Sequence, residues 1–480
     1  MPLTIGLLAE HLSLDPADTA VCTLPVIAPL YQPLLHIDRR GDPPVPDLAE
    51  RWEPSADGCD HRFWLREARF HDGTPVRVRD MAWSLSRHVW PGSTSLFAPM
   101  LRGLLRRGGT AHDGEIAESF EVDEAQRCLC IRLAAPYVPL PELLAHPMLG
   151  VLREGAVGRL VGSGPLMPMQ AGASLHFVEH AAYRGPRVAP RELRLVGHDT
   201  PQALAEALAA QAVDVVSVER THQPLFADRF TSTPLRDRWV GALMVNAAGA
   251  LHSTELRRDF GQMVQGLASG LFGDAFEPFL LPDDLSTPAY RARPRPALDP
   301  AEFARRWRGE LAGQALRIVY CPGRGPLSEI LTALAGTLVR HDLPHRVIEV
   351  AEPAQVYGLV AQGCFDVVAR GWAQDLDDAE EFVGIYERQA PGAVANQHRL
   401  RFEAQVAAAR HLPWASARTA AFTAALIELE AQWLCIPVCR DHKRLFHGPG
   451  VQLAPHGHEP FKPVATPAAP AAPTAAASPA

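Results

Sequence analysis

Short runs with strand character recur along this chain, and several of them are separated by stretches whose apolar residues repeat at helical spacing. Strands are predicted at 3–7, 174–180, 192–198, 214–218, 241–246, 316–321, 346–350 and 366–370. Helices are predicted at 201–212, 301–311, 328–340 and 417–433. This interleaving predicts an α/β protein in which mixed sheets are covered by helices.

The segment 45–88, VPDLAERWEPSADGCDHRFWLREARFHDGTPVRVRDMAWSLSRH, has the densest pattern. Asp57-Gly58 predicts the tight turn of a hairpin, and residues 61–65 then alternate polar and apolar side chains as a half-buried strand does. From Val78 onward the apolar residues follow helical spacing, with Asp80 in the first turn. These features build a scaffold, and none of them carries chemistry.

The same segment resembles the family 5 extracellular solute-binding proteins, the receptors of oligopeptide, dipeptide and nickel ABC importers. Pro46, Leu48, Ala49 and Trp52 match the family's "pdLAesW", and residues 70–75 match its "FhDGtP". Further matches occur in order at 13–16, 31–35, 161–165, 183–185, 241–246, 256–258 and 435–438. The resemblance therefore covers about residues 3–462.

This resemblance implies a periplasmic-binding-protein-like fold (type II, cluster C), with two lobes around a hinge plus an inserted third lobe. The chain length of 480 residues agrees, because it exceeds what one hydrophobic core usually holds. The family's topology assigns residues 1–30, 160–240 and 436–462 to lobe I, residues 31–159 to the inserted lobe II, and residues 241–435 to the ligand-closing lobe III. The tail at 463–480 contains only Pro, Ala, Thr, Ser and one Val, so we expect it to be disordered.

The resemblance also implies a ligand-binding segment at 370–378, RGWAQDLDD, which matches the family's "gWxaDypDp". In peptide-binding members the first Asp of this motif binds the peptide's α-ammonium, and the matching residue here is Asp375. A carboxylate suits this role because a buried ammonium needs a counter-charge and hydrogen-bond acceptors. Trp372 would wall the pocket, and Arg370 could bind a ligand carboxylate through its two-pronged guanidinium.

Asn246 and Ser163, which lie in two other matched segments, complete the predicted ligand-binding set. One departure from the motif is Ala379, which stands where the family often has Pro. Judged without the resemblance, the acidic run at 375–378 would be an ordinary solvated loop. Both interpretations remain open at the level of sequence.

Composition and one short motif narrow the range of functions that the protein could have. The net charge of −8 and the absence of a basic cluster give no reason to expect nucleic-acid binding, and no run approaches the ~20 apolar residues of a membrane span. His176 to His180 satisfies the HxxEH pattern of inverted zinc proteases, but that site requires a helix, whereas this segment is predicted as a strand. We therefore expect no metal, no cofactor, no catalytic set and a monomeric protein.

As written, the chain shows neither a secretory signal nor a lipidated cysteine before its first strand. Its eight cysteines lack the spacing of a disulfide scaffold. Both observations predict a reduced, cytoplasmic protein, with a periplasmic location as the alternative if the start is misassigned or a signal was removed.

Three functions from different classes follow. The first is a solute-binding protein that captures a peptide-like or other small cationic ligand between two lobes, with an ABC permease as its partner. The second is a cytosolic ligand sensor resembling the solute-binding half of SgrR-type regulators, without their DNA-binding part. The third is a cytosolic biosynthetic enzyme on a binding-protein scaffold, which we do not favour because no catalytic constellation supports it.

Overall fold

The computed structural model describes the chain in segments, and every structural statement below concerns these residues. They are 2–8, 14–17, 24–37, 42–93, 95, 97–107, 109, 112–155, 161–170, 174–185, 190–234, 239–282, 285–321, 325–350, 353–372, 378–380, 382–383, 397–412, 416–441, 443–448, 451–452 and 466–467.

The first large sheet has seven strands in the order β12-β18-β11-β1-β10-β9-β8. They are β1 (Leu3–Leu8), β8 (Leu166–Gln170), β9 (Ser174–Glu179), β10 (Glu192–His198), β11 (Val215–Val218), β12 (Thr231–Pro234) and β18 (Arg444–His447). β1 runs parallel to both of its neighbours, and the remaining pairs are antiparallel. This sheet is thus assembled from three separate parts of the chain.

The second large sheet has five strands in the order β15-β14-β16-β13-β17. They are β13 (Trp239–Val245), β14 (Leu316–Tyr320), β15 (His345–Glu349), β16 (Val367–Trp372) and β17 (Cys435–Asp441). β14 is parallel to β15 and β16, whereas β13 is antiparallel to both of its neighbours. The inner strand β13 is almost wholly apolar because both faces are covered: Leu243 packs into one buried cluster and Met244 into another.

The segment between β1 and β8 forms its own unit around a four-stranded antiparallel sheet in the order β4-β5-β7-β6. The strands are β4 (Ala49–Pro54), β5 (Asp60–Leu65), β6 (Phe120–Asp123) and β7 (Cys128–Arg132). The short pair β2 (Leu35–His36) and β3 (Val45–Pro46) precedes it. The antiparallel pairing of β4 with β5 confirms the hairpin predicted at Asp57-Gly58.

Helices cover these sheets. They are α1 (Leu24–Leu30), α2 (Val78–Arg87), α3 (Ala98–Leu104), α4 (Leu140–Leu143), α5 (Pro201–Ala209), α6 (Thr254–Phe272), α7 (Pro288–Arg291), α8 (Pro300–Leu311), α9 (Gly325–Arg340), α10 (Pro353–Ala361), α11 (Gln397–Arg410) and α12 (Ser416–Glu430). Short 3₁₀ helices lie at Pro147–Leu149, Arg220–Leu225 and Gly273–Ala275. The strands and helices predicted from the sequence are therefore confirmed in type, with ends that shift by a few residues.

The glycines at 162 and 164 are explained by close backbone approach where the inserted unit rejoins the first sheet. A Cβ on Gly162 would lie 2.1 Å from the carbonyl oxygen of Leu30, and one on Gly164 would lie 2.5 Å from the carbonyl carbon of Leu30. Contacts that short are impossible, so this segment needs glycine on both sides of Ser163. The matched motif at 161–165 is a packing requirement at this junction.

Two expectations about segment boundaries differ from the structure. Residues 436–462 were assigned to lobe I, yet β17 pairs with β13 in the five-stranded sheet, because its apolar residues Ile436 and Val438 pack into that sheet's core. Of the tail expected to be disordered, Thr466–Pro467 form a strand, β20, that pairs antiparallel with β19, Val451–Gln452. The rest of the tail lies outside the described residues.

We predict that the protein loses stability as the pH falls below about 6.5, and that His88 in the inserted unit accounts for part of the loss. His88 is 1% exposed, and its Nδ1 lies 2.7 Å from Ser95 Oγ. Burial lowers the pKa of His88 to about 3, with Arg87 and His146 acting in the same direction and Asp15 against it. Between pH 6.5 and about pH 3, His88 binds a proton more readily in the unfolded chain than in the folded protein. Protonation of His88 therefore favours unfolding.

The measurement is the thermal unfolding midpoint from pH 8 to pH 4 for the wild type and for His88→Gln, whose amide can still bond to Ser95. The wild-type midpoint should fall more steeply than that of the variant below pH 6.5. Parallel curves would exclude His88 as the cause.

Candidate functional site

The chain crosses between the two large sheets at two adjacent places. β12 leaves the seven-stranded sheet and β13 enters the five-stranded one, while β17 leaves the five-stranded sheet and β18 enters the seven-stranded one. Pro234 lies opposite Arg444 in the first sheet, and Trp239 lies opposite Asp441 in the second. Because the crossings run side by side, they form a two-stranded connection about which the sheets can rotate.

The carboxyl ends of the parallel strands meet at this connection. Val218, the last residue of β11, pairs with Arg444 just after one crossing. Trp372, the last residue of β16, pairs with Val240, one residue beyond the other crossing. Ligands of open α/β sheets bind outside the carboxyl ends of the strands. The cleft between the two sheets is therefore the candidate binding site.

Helices that belong to the two halves of the molecule touch each other near the carboxyl end of β11. Thr221, in the 3₁₀ helix that follows β11, donates its hydroxyl to Glu329 Oε1 on α9 at 2.8 Å. The neighbouring Arg220 donates from Nη2 to the carbonyl oxygen of Phe272 at 3.2 Å, with its guanidinium over the Phe272 ring at 5.5 Å. The 3₁₀ helix that follows β11 is thus in contact with α6 and α9.

Arg370 and Trp372 of the predicted ligand set lie at the cleft edge of the five-stranded sheet. Arg370 is opposite Ala242 in the strand pairing and is 8% exposed, so its guanidinium is part of the interior wall. Trp372 ends β16. Asp375 follows three residues later and lies outside the described residues, so its role stays a prediction.

Asn246 lies at the end of β13 that is far from the crossings. Val245 pairs with Val367, at the start of β16, so Asn246 is six residues, roughly 20 Å along the strand, from the end that faces the cleft. Its amide donates to the carbonyl oxygens of Phe365 at 2.9 Å and Gly363 at 3.4 Å. These bonds tie Asn246 to the residues before β16, and a ligand contact at Asn246 stays a prediction.

Ser163 precedes β8, the edge strand of the seven-stranded sheet that is farthest from the crossings. It is 1% exposed, and its hydroxyl has no hydrogen-bond partner among the residues that the structure describes. Packing against Leu30 accounts for the glycines on both sides of Ser163. Among the described residues, nothing further connects Ser163 to the cleft. A ligand contact at Ser163 remains a prediction.

A buried ion network anchors the far end of the acidic segment, and sequence reasoning did not find it. Arg418 on α12 donates from Nε to Asp378 Oδ2 at 2.7 Å and from Nη2 to Glu380 Oε2 at 2.5 Å. Arg410 donates to the other oxygen of Glu380 at 2.6 Å. Asp378 is 6% exposed and Arg418 2% exposed, so Asp378 is not the solvated residue that its local sequence indicates.

The electrostatics of this network follow from its burial. Burial raises the pKa of Asp378, and the Arg418 guanidinium opposes the shift. Burial alone would lower the pKa of Arg418, but Asp378 and Glu380 outweigh it and hold the pKa above its ordinary value. Forty residues separate Arg418 from Asp378, so no local signal could have paired them.

The inserted unit contacts the same network. The Tyr137 ring lies 5.8 Å from the Arg418 guanidinium, and Tyr137 is itself 2% exposed. Burial raises the pKa of Tyr137 well above its ordinary value, and Glu380 and Asp378 add to this shift. The network that Asp378 enters therefore reaches the inserted unit.

The described residues contain neither a membrane-spanning helix nor a cluster of metal ligands. None of their helices combines the length and apolar character that a bilayer crossing demands. Nor do three or more His, Cys, Asp or Glu side chains converge there as a metal-ligand set. The HxxEH run lies on β9, as its alternation predicts, and His176 Nε2 is 2.8 Å from Glu192 Oε1 on the neighbouring strand.

Residues 43–258 match the family of bacterial extracellular solute-binding proteins, family 5 Middle. The periplasmic murein peptide-binding protein MppA of Escherichia coli K12 is 36% identical over 94 residues, which is 18% of this chain and 17% of MppA. The periplasmic oligopeptide-binding protein OppA of the same organism is 29% identical over 141 residues, 27% of this chain and 24% of OppA. The chain thus matches a quarter or less of the length of these relatives.

The three-dimensional likeness extends much further. The structure of the Escherichia coli murein tripeptide-binding protein MppA superposes with a TM-score of 0.76 at 20% identity, over 97% of both chains. The periplasmic binding protein DppA of Helicobacter pylori, in complex with peptide STSA, gives 0.76 at 14% identity over 94% of both chains. The predicted fold class is confirmed, and so is the resemblance to family 5 solute-binding proteins.

We predict that Arg418→Met lowers the free energy of unfolding by about 3 to 5 kcal/mol, because Asp378 and Glu380 would be left buried without their main counter-charge. The matched control is Arg401→Met on α11, whose partner Glu428 is 3.0 Å away, with side chains 69% and 39% exposed. That change should cost within about 1 kcal/mol. Urea denaturation measures both, and equal losses would contradict a buried network.

Proposed function

We propose that this chain, whose residues 43–258 carry the family 5 solute-binding match, captures a peptide-like or other small cationic ligand in the cleft between its two large sheets. The observation that carries the proposal is the placement of the acidic segment. It leaves the cleft end of β16 at Trp372 and returns to a buried anchor at Asp378. A segment fixed at both ends can present a side chain to the cleft at a reproducible position.

Asp375 is the proposed anchor for the cationic group. It lies three residues after the strand end and three before Asp378, so both flanks of its segment are tied down. A carboxylate in a closed, poorly hydrated cleft pairs strongly with an ammonium group, because charge-assisted hydrogen bonds gain strength when water is excluded. The same segment was the sequence-based candidate, and the described flanks support it.

Arg370 gives the wall a positive group beside that anchor. Its guanidinium is buried in the strand that leads to the segment, which suits the carboxylate of a peptide or another zwitterionic ligand. Two structural relatives agree with this class: Escherichia coli MppA is a murein tripeptide-binding protein, and Helicobacter pylori DppA holds the peptide STSA. A zwitterion matches both charges of this wall.

The physiological partner that we propose is an ABC permease, which receives the ligand when the lobes open. Delivery of a captured solute needs a closed and an open arrangement, and the paired crossings supply the hinge. A cytosolic sensor and an enzyme on the same scaffold are the competing functions. We treat the cellular compartment of the protein as a separate proposal, and its two alternatives are the cytoplasm and the periplasm.

Mass spectrometry of ligand pools distinguishes binding from turnover. The protein is incubated with a defined mixture of dipeptides to pentapeptides, and native spectra report the bound species while the supernatant reports any product. We expect unmodified peptide bound at one molecule per chain. A product formed in excess of the protein would overturn the proposal in favour of the enzyme.

We predict that Asp375→Asn weakens binding of the peptide selected in that experiment by about 2 to 5 kcal/mol, because the ammonium would be left buried and unpaired. This corresponds to roughly 30-fold or more in affinity, measured by calorimetry. Asp342→Asn is the control: Asp342 is exposed, and its backbone has φ of 54°, a conformation that Asn tolerates. Equal affinities of the two variants would reject Asp375 as the anchor.

A further inference from the structure

Trp239 occupies a special position in the chain, because it is the first described residue after the crossing from the seven-stranded sheet. It begins β13 opposite Asp441. Its side chain is partly exposed and packs against the buried cluster on one face of the five-stranded sheet. The indole therefore lies at the hinge end of the cleft.

The indole rests on two glycines from adjacent strands. A Cβ on Gly371 would lie 2.1 Å from Trp239 Cζ2 and 2.9 Å from Nε1, and a Cβ on Gly241 would lie 2.9 Å from Cη2. Gly241 and Gly371 are paired across β13 and β16, so together they form a flat backbone surface. A side chain at either position would occupy the space above this surface. Trp239 is thus in contact with the backbone just before Trp372.

The surroundings leave the ring one direction in which to move. Cys439 Sγ and Leu327 Cδ2 each lie 3.0 Å from the Cβ position of Gly241, on the same face as the indole. The backbone of Gly241 and Gly371 blocks movement through the sheet. Because Trp239 is only partly buried, a displaced indole would leave the sheet surface on its exposed side.

We propose that Trp239 is a positioning residue for ligand binding: its indole, laid across Gly241 and Gly371, holds the end of β16 from which the ligand-binding segment departs. The inference rests on the proposed function for its consequence in binding, but the contact itself does not. Glycine is required at 371 because the indole occupies the space of a side chain. Through this contact the start of β13 and the end of β16 move as one body.

A double-mutant cycle tests whether the two residues act through their contact. Gly371→Ala, Trp239→Ala and the double variant are compared with the wild type for affinity towards tri-L-alanine, measured by calorimetry. We expect Gly371→Ala to lose tenfold or more, because the added methyl expels the indole. In the Trp239→Ala background the same methyl meets no ring, so the double variant should bind as well as Trp239→Ala alone.

A second measurement needs no ligand. In protein labelled with 5-fluorotryptophan, the ¹⁹F resonance of Trp239 is identified by its loss in Trp239→Ala. Gly371→Ala should shift this resonance and speed amide exchange in 367–372. The control Gly358→Ala, at a glycine on α10 with no atom within 4 Å of its Cβ position, should change neither. Thermal midpoints of all variants separate these local effects from unfolding.

The outcomes are distinct. Additive affinity losses in the cycle, or an unchanged Trp239 resonance in Gly371→Ala, would overturn the positioning role. If the wild type does not bind tri-L-alanine or any peptide of the mixture, the proposed function fails, while the fluorine and exchange data still decide whether Trp239 holds the end of β16.

Discussion

The architecture depends on one constraint: the chain passes between its two large sheets at a single place, along two neighbouring strands. One crossing joins β12 to β13, and the other joins β17 to β18. β13 and β17 are hydrogen-bonded partners in one sheet, and β12 and β18 are partners in the other. A pair of connections allows rotation but restrains separation. It also brings the carboxyl ends of β11 and β16 to the same place, so the cleft and the hinge arise from one arrangement of strands.

The described residues on the two sides of the acidic segment make two different kinds of contact. On one side the indole of Trp239 packs against the backbone of Gly371, a contact that depends on steric fit alone. On the other side Asp378 is tied to Arg418 by charge inside a buried network. Burying a carboxylate is costly unless it is paired, so such a network specifies one geometry for the residues that enter it.

The inserted unit is part of this arrangement. Its Tyr137 contacts Arg418, so the residue that anchors the acidic segment also faces a unit built from a different part of the chain. The opposite junction, where Gly162 and Gly164 lie against Leu30, fixes the inserted unit to the seven-stranded sheet. Contacts at both junctions mean that a change in the relative position of the large sheets also changes the environment of Tyr137.

The sequence by itself determined the local elements and the resemblance to family 5 solute-binding proteins. Strand and helix patterns, the hairpin at Asp57-Gly58 and the run at 70–75 follow from short-range regularities, which are visible within a window of a few residues. It also located the acidic segment after β16. Tertiary structure alone decided the sheet that β17 joins, the hydrogen bond from Asn246 to Phe365 and the pairing of the buried Asp378 with Arg418. Each of these depends on partners tens to hundreds of residues away in the chain, and local pattern carries no information about such pairings.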